Sequence, residues 1–367
     1  MALLFADNFE QYGICNAVTA KDYMEDGLWI ENDASGTYGS TGVVDDPDPS
    51  APAASVAYDL GHRYNDTGNL RGLRYAFPGG GRGTVGASWR WYIAGMPTAE
   101  GAAPRMELRD ASNLMQVGLY VRTTGAISVI NSAGASLGST TGPVLTANSW
   151  NHIECKTTIN ATTGSFAIYV NSVLVLNLTN INTKSQASAT ADQIKIGVYH
   201  VSTADANKTY LKDVIVWDTT GTRNNDVMGP CFVGRFALNS DVSLNWTPST
   251  GGTGYNLINE VGPNDTNYIS AAWPAPSPST FGVDNLPADV TSVRAVVLLG
   301  RMRKTDGGDC NVRMSFIDAG VDTNGADRPI TTADTYWYDV LELNTRTSNP
   351  FTPTEFNNGT FKINRTL

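Results

Sequence analysis

The sequence is poor in charge, cysteine and histidine, and it holds no long apolar run. Only 16% of its 367 residues are charged, against roughly a quarter in an average soluble chain. Solubility therefore rests on hydroxyl and amide groups. The balance is acidic, with a formal net charge of −10. That argues against nucleic acid as a partner, because phosphate contacts need clustered Lys and Arg. No apolar stretch approaches the ~20 residues that cross a bilayer as a helix. The opening Met1-Ala2-Leu3-Leu4-Phe5-Ala6-Asp7 has no basic region and only a short apolar stretch, so a secretory signal is not expected, and synthesis in a cytoplasm is. Cys15, Cys155, Cys231 and Cys310 lie too far apart for metal-ligand spacing. Cys155 shares the parity of Ile153 and reads as a buried thiol. An intersubunit disulfide through Cys15, Cys231 or Cys310 stays open. His62, His152 and His200 form no metal pair, and His152, of opposite parity to Ile153, is expected to face solvent.

What is present is glycine (36), proline (17) and strand-like alternation. Long helical periodicity is absent. In Ala87-Ser88-Trp89-Arg90-Trp91-Tyr92-Ile93 the odd positions form an apolar face. Similar half-buried strands are expected at 105–109, 116–122 and 126–130. Asn171-Ser172, between Ile168-Tyr169-Val170 and Val173, reads as a hairpin turn. Asp45 to Pro52 carries three prolines and cannot be a strand, and Phe77 to Gly83 is a glycine-rich connection. A polar segment ending in Gly229-Pro230 marks a boundary. The chain is therefore expected to be all-β, with two β-sandwich domains in series: a jelly roll over 1–221, a linker at 222–230 and a second sandwich over 231–367. In the second, Val293–Leu299 is apolar on both faces, as a central strand would be. Asp306-Gly307-Gly308-Asp309 should turn it into a hairpin with Val312–Ile317.

Two motif matches are decoys. Gly134-Ala135-Ser136-Leu137-Gly138 fits the nucleophile-elbow spacing, but no helix follows. Gly81-Arg82-Gly83-Thr84-Val85-Gly86 fits a dinucleotide glycine pattern, but it enters a strand. Asp213 shares parity with Leu211, Ile215 and Trp217. A carboxylate on that apolar face must be hydrogen-bonded, ion-paired or metal-bound. Asp318, Asp322 and Asn324, with Gly325 and Asp327, make an oxygen-rich loop that is a fragment of a calcium-loop pattern. Trp273, beside Pro274, and Tyr336-Trp337-Tyr338 are candidate platforms for sugar rings, with core packing or a subunit contact as the alternative.

The order Trp150-Asn151-His152-Ile153-Glu154, Ile168-Tyr169-Val170-Asn171, Ile194-Lys195-Ile196-Gly197 and Leu211-Lys212-Asp213-Val214-Ile215-Val216-Trp217-Asp218 resembles the second half of a concanavalin A-like (laminin-G-like) jelly roll. Related domains usually carry Asn-Gly where Asn171-Ser172 stands, so Ser172 should cost some turn stability. The resemblance also implies a calcium ion at the domain rim. Lys212-Asp213 replaces the double Asp that often supplies its oxygens. Jelly-roll glycoside hydrolases of this fold place two Glu and an Asp at alternate positions of one strand, and no Glu-X-Asp-X-Glu occurs here.

Further motifs extend the likeness. They are Phe5-Ala6-Asp7-Asn8-Phe9-Glu10, Asn245-Trp246-Thr247-Pro248-Ser249-Thr250-Gly251, Asn264-Asp265-Thr266-Asn267-Tyr268-Ile269-Ser270 and the closing Asn349-Pro350-Phe351-Thr352 with Gly359-Thr360-Phe361-Lys362-Ile363. In this order they resemble a family of tailed-bacteriophage virion proteins. The resemblance implies a non-enzymatic particle component, namely a head decoration, neck or tail appendage that contacts other virion proteins. It also implies a homo-oligomer, with a trimer the expectation, although no heptad repeat supports one. A host-surface glycan-binding adhesin is the alternative, and a polysaccharide hydrolase the third reading.

Overall fold

The computed structural model describes residues 2–12, 15–16, 24, 29, 31–32, 42–50, 55–60, 70–99, 103–199, 208–262, 264–272 and 274–367. The chain is all-β and divides into two compact units, Met1–Val233 and Gly234–Leu367. Each buries its alternating apolar side chains between β layers.

Two antiparallel sheets make the first unit. Across the first sheet the strands run Val173–Ile181, Gly164–Val170, Trp150–Thr158, Thr84–Ile93, Thr209–Asp218, Val56–Asp59, Gly42–Asp45 and Cys15–Asn16, and Leu3–Asp7 also pairs with Thr209–Asp218. The second sheet runs Ser136–Ser139, Ile127–Asn131, Met115–Val121, Pro104–Arg109, Gln193–Tyr199, Leu70–Ala76 and Glu31–Asn32. The strands expected from residues 87–93, 105–109, 116–122 and 126–130 all form, to within a few residues at their ends. Between the sheets lie Trp89, Trp91, Ile153, Cys155, Phe166, Ile168 and Val216 from one side, and Leu73, Met106, Leu108, Val117, Leu119, Ile194 and Ile196 from the other, all buried. Burying a large apolar side chain is worth about 1.5–3 kcal/mol, so this alternation is what closes the two layers.

One residue breaks the alternation. The ladder between Thr209–Asp218 and Thr84–Ile93 slips between Lys212 and Ile215, and Asp213 takes a left-handed φ of 52°. This bulge overturns the parity expected of Asp213. Leu211 and Val216 face the core, while Ile215 and Trp217, paired with Ser88 and Gly86, lie on the outer face of the first sheet. A Cβ on Gly86 would sit 2.0 Å from the Trp217 ring, so the indole needs the glycine beneath it.

That outer face is closed by the chain itself, because residues 222–230, expected as a linker, are bonded to the first unit. The Glu154 carboxylate, with no exposed surface, accepts from the Met228 amide at 2.7 Å and the Gly229 amide at 3.1 Å. Further on, Asp213 accepts from the Val233 amide at 3.0 Å, and the Asn8 side-chain amide donates to the Val233 carbonyl at 2.6 Å. The segment is a strap, and its anchors are buried acids.

In the second unit a six-stranded sheet orders Leu238–Ser243, Ser279–Val283, Thr360–Arg365, Asn311–Asp318 and Val321–Asn324, with Arg328–Pro329 also on Asn311–Asp318. Val296–Met302 pairs only with Thr335–Leu341, so the expected central strand and its hairpin with residues 312–317 do not form. Its Val296 and Leu298 pack with Met314, Phe316, Leu341, Phe351 and Phe356, while the residues between them stay half-buried. Apolar content on both faces here accompanies a strand that buries one face in a cluster and leaves the other half-buried.

Two outcomes follow from these contacts. Asn171 and Ser172 both have positive φ, 48° and 72°, the geometry of a type I′ turn, and a left-handed non-glycine residue costs roughly 1–2 kcal/mol. Ser172→Gly should raise stability by about 1 kcal/mol, read as a higher urea midpoint at unchanged slope. Glu154→Ala leaves two strap amides without their acceptor. It should cost about 2–4 kcal/mol and speed hydrogen exchange at Met228 and Gly229 before any global unfolding.

Candidate functional site

A sandwich has two outer faces, and here they differ. Under the strap, on the first sheet, Ser88 Oγ lies 2.8 Å from His152 Nε2, the spacing of a nucleophile and its base. Both residues are buried, and His152 Nδ1 has no hydrogen-bond partner among the described residues. Without an acid on Nδ1 and without solvent access, the pair is a packing feature. The expectation that His152 faces solvent is thereby corrected: its parity is right, but the side chain is buried against Ser88. Burial first, and then the Arg90 guanidinium, push the His152 pKa down to about 4.

The outer face of the second sheet holds an ordered polar array. On Pro104–Arg109, positions 106 and 108 point inward, and Arg105, Glu107 and Arg109 point out. Glu107 Oε1 takes Arg105 Nε at 2.9 Å; Glu107 Oε2 takes Arg109 Nε at 2.8 Å and its Nη2. One buried carboxylate thus fixes two guanidinium groups by their inner edges. Antiparallel register sets Lys195 beside Glu107, Gly197 beside Arg105 and Gln193 beside Arg109. On the next strand Arg74 sits opposite Lys195, and its Nη1 donates to Gln193 Oε1 at 2.8 Å. Glu31 lies opposite Arg74 in turn.

Two tyrosines frame the array. Tyr199 lies under the Arg105 guanidinium, 5.1 Å from its ring centroid, and Tyr120 sits opposite Arg105 in register. Gly72 and Gly197 pair directly, and a Cβ on Gly72 would fall 2.0 Å from the Ile196 carbonyl oxygen. The floor between Arg105 and the Leu70–Ala76 strand is therefore bare backbone. On the far side Gln116, wholly buried, binds the loop that follows residue 182: its side-chain amide donates to the Ser188 and Thr190 carbonyls, and its carbonyl accepts from the Ser185 and Gln186 amides. The arrangement offers fixed cationic donors, aromatic rings and a floor without side chains, which suits an oxygen-rich ligand.

The residues singled out from sequence lie elsewhere. Tyr336 is buried, and Trp337 packs half-buried against both apolar clusters of the second unit, with Arg328 5.7 Å over its ring. Neither presents a bare ring face to solvent. Trp273 lies outside the described residues. The oxygen donors expected for calcium do not converge. Asp213, in the first unit, accepts from Val233 and pairs with Arg90 at 3.2 Å; burial pushes its carboxyl up against the pull of that arginine. Asp318 takes the Asn344 amide and Arg346, Asp322 takes Lys362, and Asn324 accepts from Ser315. Among the described residues no group of three or more His, Cys, Asp or Glu is placed to hold a metal. The cysteine reading is met at Cys155, which is buried, its thiol pushed up in pKa by that burial.

Comparison with known proteins finds no matching family model and no matching curated protein. Similar solved structures include a sialidase (11% identity, TM-score 0.37, covering 60% of this chain). This chain spans only 19% of that protein. Alginate lyase Aly36B has 13% identity and a TM-score of 0.35, over 58% of this chain and 95% of the lyase. The lectin UEA-II complexed with galactose has 6% identity and a TM-score of 0.30, over 44% of this chain and 86% of the lectin. At these scores the likeness assigns no activity. The expectation of a non-enzymatic protein is nonetheless corrected, because enzymes stand among these neighbours. The missing Glu-X-Asp-X-Glu excludes one hydrolase strand pattern, and it does not exclude catalysis.

The buried histidine yields a pH test. Its folded pKa lies below the unfolded value, so between pH 6.5 and about 4 the unfolded chain takes up a proton that the folded chain refuses. Stability should fall as pH is lowered through that window. His152→Gln should lose stability less steeply than the parent over the same range, in urea titrations from pH 7 to pH 4.

Proposed function

We propose that this chain is a carbohydrate-binding β-sandwich protein, carried on a tailed-phage particle and directed at glycans of the host surface. The observation that carries the reading is the contrast between the outer faces of the first unit. One is strapped shut; the other keeps oriented side-chain donors, two tyrosines and a glycine floor. Sugars are bound by such combinations, with hydroxyl groups on polar side chains and ring faces against aromatics. The particle location rests on the ordered motifs from Phe5-Ala6-Asp7-Asn8 to Gly359-Thr360-Phe361, which resemble virion proteins.

A second role, subunit contact within a homo-oligomer, draws on the edge strand Val173–Ile181. Among the described residues it pairs on one side only, and Val173 and Leu174 are exposed at its tip. An unpaired apolar edge is a template for another strand. Both roles fit one particle appendage.

A glycan array probed with the full chain, displayed multivalently, tests the main reading. Binding to a subset of glycans is expected, and it should fall at least tenfold in Tyr199→Ala with the melting temperature held. Silence across neutral and acidic glycans would leave the subunit-contact role alone.

A further inference from the structure

The charge on this face narrows the ligand class; the argument rests on the carbohydrate-binding reading just given. The chain has ten more acidic than basic residues, yet the outer face of the second sheet reverses that sign. Arg74, Lys195, Arg105 and Arg109 stand on three adjacent strands, with the carboxylate of Glu107 among them. We propose that this face binds a polysaccharide carrying a carboxylate on its repeating unit, a polyuronate, with the outer edge of the Arg105 guanidinium as its principal anchor.

Three features favour carboxylates over neutral sugars. The first is that Glu107 Oε1 forms an ion pair at the Nε side of Arg105, at 2.9 Å, while among the described residues Nη2 donates to the thioether of Met115, at 3.6 Å. A guanidinium held this way offers its Nη pair to a second planar carboxylate. The second is that Arg105 is held twice, by Glu107 at its edge and by Tyr199 at its face. Little side-chain freedom is left to lose on binding. The third is that desolvation strengthens the attraction: the Arg105 side chain is 14% exposed and Lys195 4%, and charges at such sites are screened less than those in open water.

A polymer fits better than a single acidic sugar. The cations fall on three successive cross-strand rows: Arg109 with Gln193, then Lys195 with Arg74, then Arg105 with the glycine pair. Rows two residues apart along a strand are spaced about 7 Å. One terminal carboxylate would engage a single row, whereas a chain acidic at each unit meets all three together.

Titration calorimetry of the full chain tests this with octamers of galacturonate, mannuronate and guluronate, each beside its methyl ester, and with dextran sulfate. The ester keeps the sugar and removes the charge. At least one free acid should bind, at least tenfold tighter than its ester and than dextran sulfate, and more weakly at 500 mM than at 50 mM salt. Arg105→Met should abolish the preference for acid over ester, while Arg313→Met, a charge loss in the second unit, should leave it unchanged. Equal affinity for acid and ester, or neutral glycans binding where no uronate does, overturns the polyuronate assignment and spares the carbohydrate reading. Dextran sulfate binding as tightly as the best uronate overturns it too, leaving an unselective polyanion surface. Failure of every glycan, neutral or acidic, overturns both. The acid–ester comparison uses the unaltered protein, so a misfolded variant does not rescue the proposal.

Discussion

Two layers of pleated strand bury one face of each layer and leave the other two faces to be managed, and the first unit manages them by opposite means. On the first sheet the solution is covalent continuity. Leaving the last strand, the chain folds back across it, and Glu154 and Asp213 receive its amides. A fully buried carboxylate is costly unless donors surround it, so the strap needs the acid and the acid needs the strap. Trp217 and Ile215 can then lie outside the sandwich yet remain dry. On the second sheet Arg105 and Arg109 stay part-buried on the outer side. Its charges are neutralised in part by one another, and that leaves it suited to recognition.

Much of this was legible in the pattern of the sequence. Alternation in 87–93 put Trp89 and Trp91 between the sheets, and Asn171-Ser172 announced its hairpin. The errors share a cause: alternation reads one strand at a time and cannot see what lies over it. His152 is expected on the outer face, and it is there; its burial is set by surroundings that its own strand does not announce. Asp213 was assigned by counting through a bulge that no local residue signals, since the left-handed conformation falls on an aspartate and not on a glycine. Val293–Leu299 looks central because both its faces are apolar, yet only Val296 and Leu298 are buried in a cluster, while Val297 and Leu299 stay half-buried.

The candidate site was hidden for another reason. Its strand, Met106-Glu107-Leu108-Arg109, carries one carboxylate and so does not match the Glu-X-Asp-X-Glu spacing of a hydrolase strand. The signal was present in another form. In a chain with so few charges, Arg105, Glu107 and Arg109 occupy three consecutive outward positions, and Gln193, Lys195, Gly197 and Tyr199 are the outward positions of a second strand. Placing those strands side by side required register, which alternation does not supply. Residue type does not reveal context for the other candidates: Tyr336 is buried and Trp337 half-buried, and Asp318 and Asp322 already hold Arg346 and Lys362.

Glu107 explains why a site for anions contains an acid. Cationic side chains crowded on one face repel one another, and long ones escape that repulsion by swinging into water. A carboxylate seated between Arg105 and Arg109 removes the incentive. It draws each guanidinium inward by the Nε edge and leaves the far edge of Arg105 outward, under the restraint of the Tyr199 ring. What is lost in net charge is recovered in position, because a donor already in place need not be ordered when the ligand arrives. By this argument the number of positive charges on the face matters less than the geometry in which one acid holds them, and selectivity between carboxylate and sulfate becomes a question of shape as well as charge.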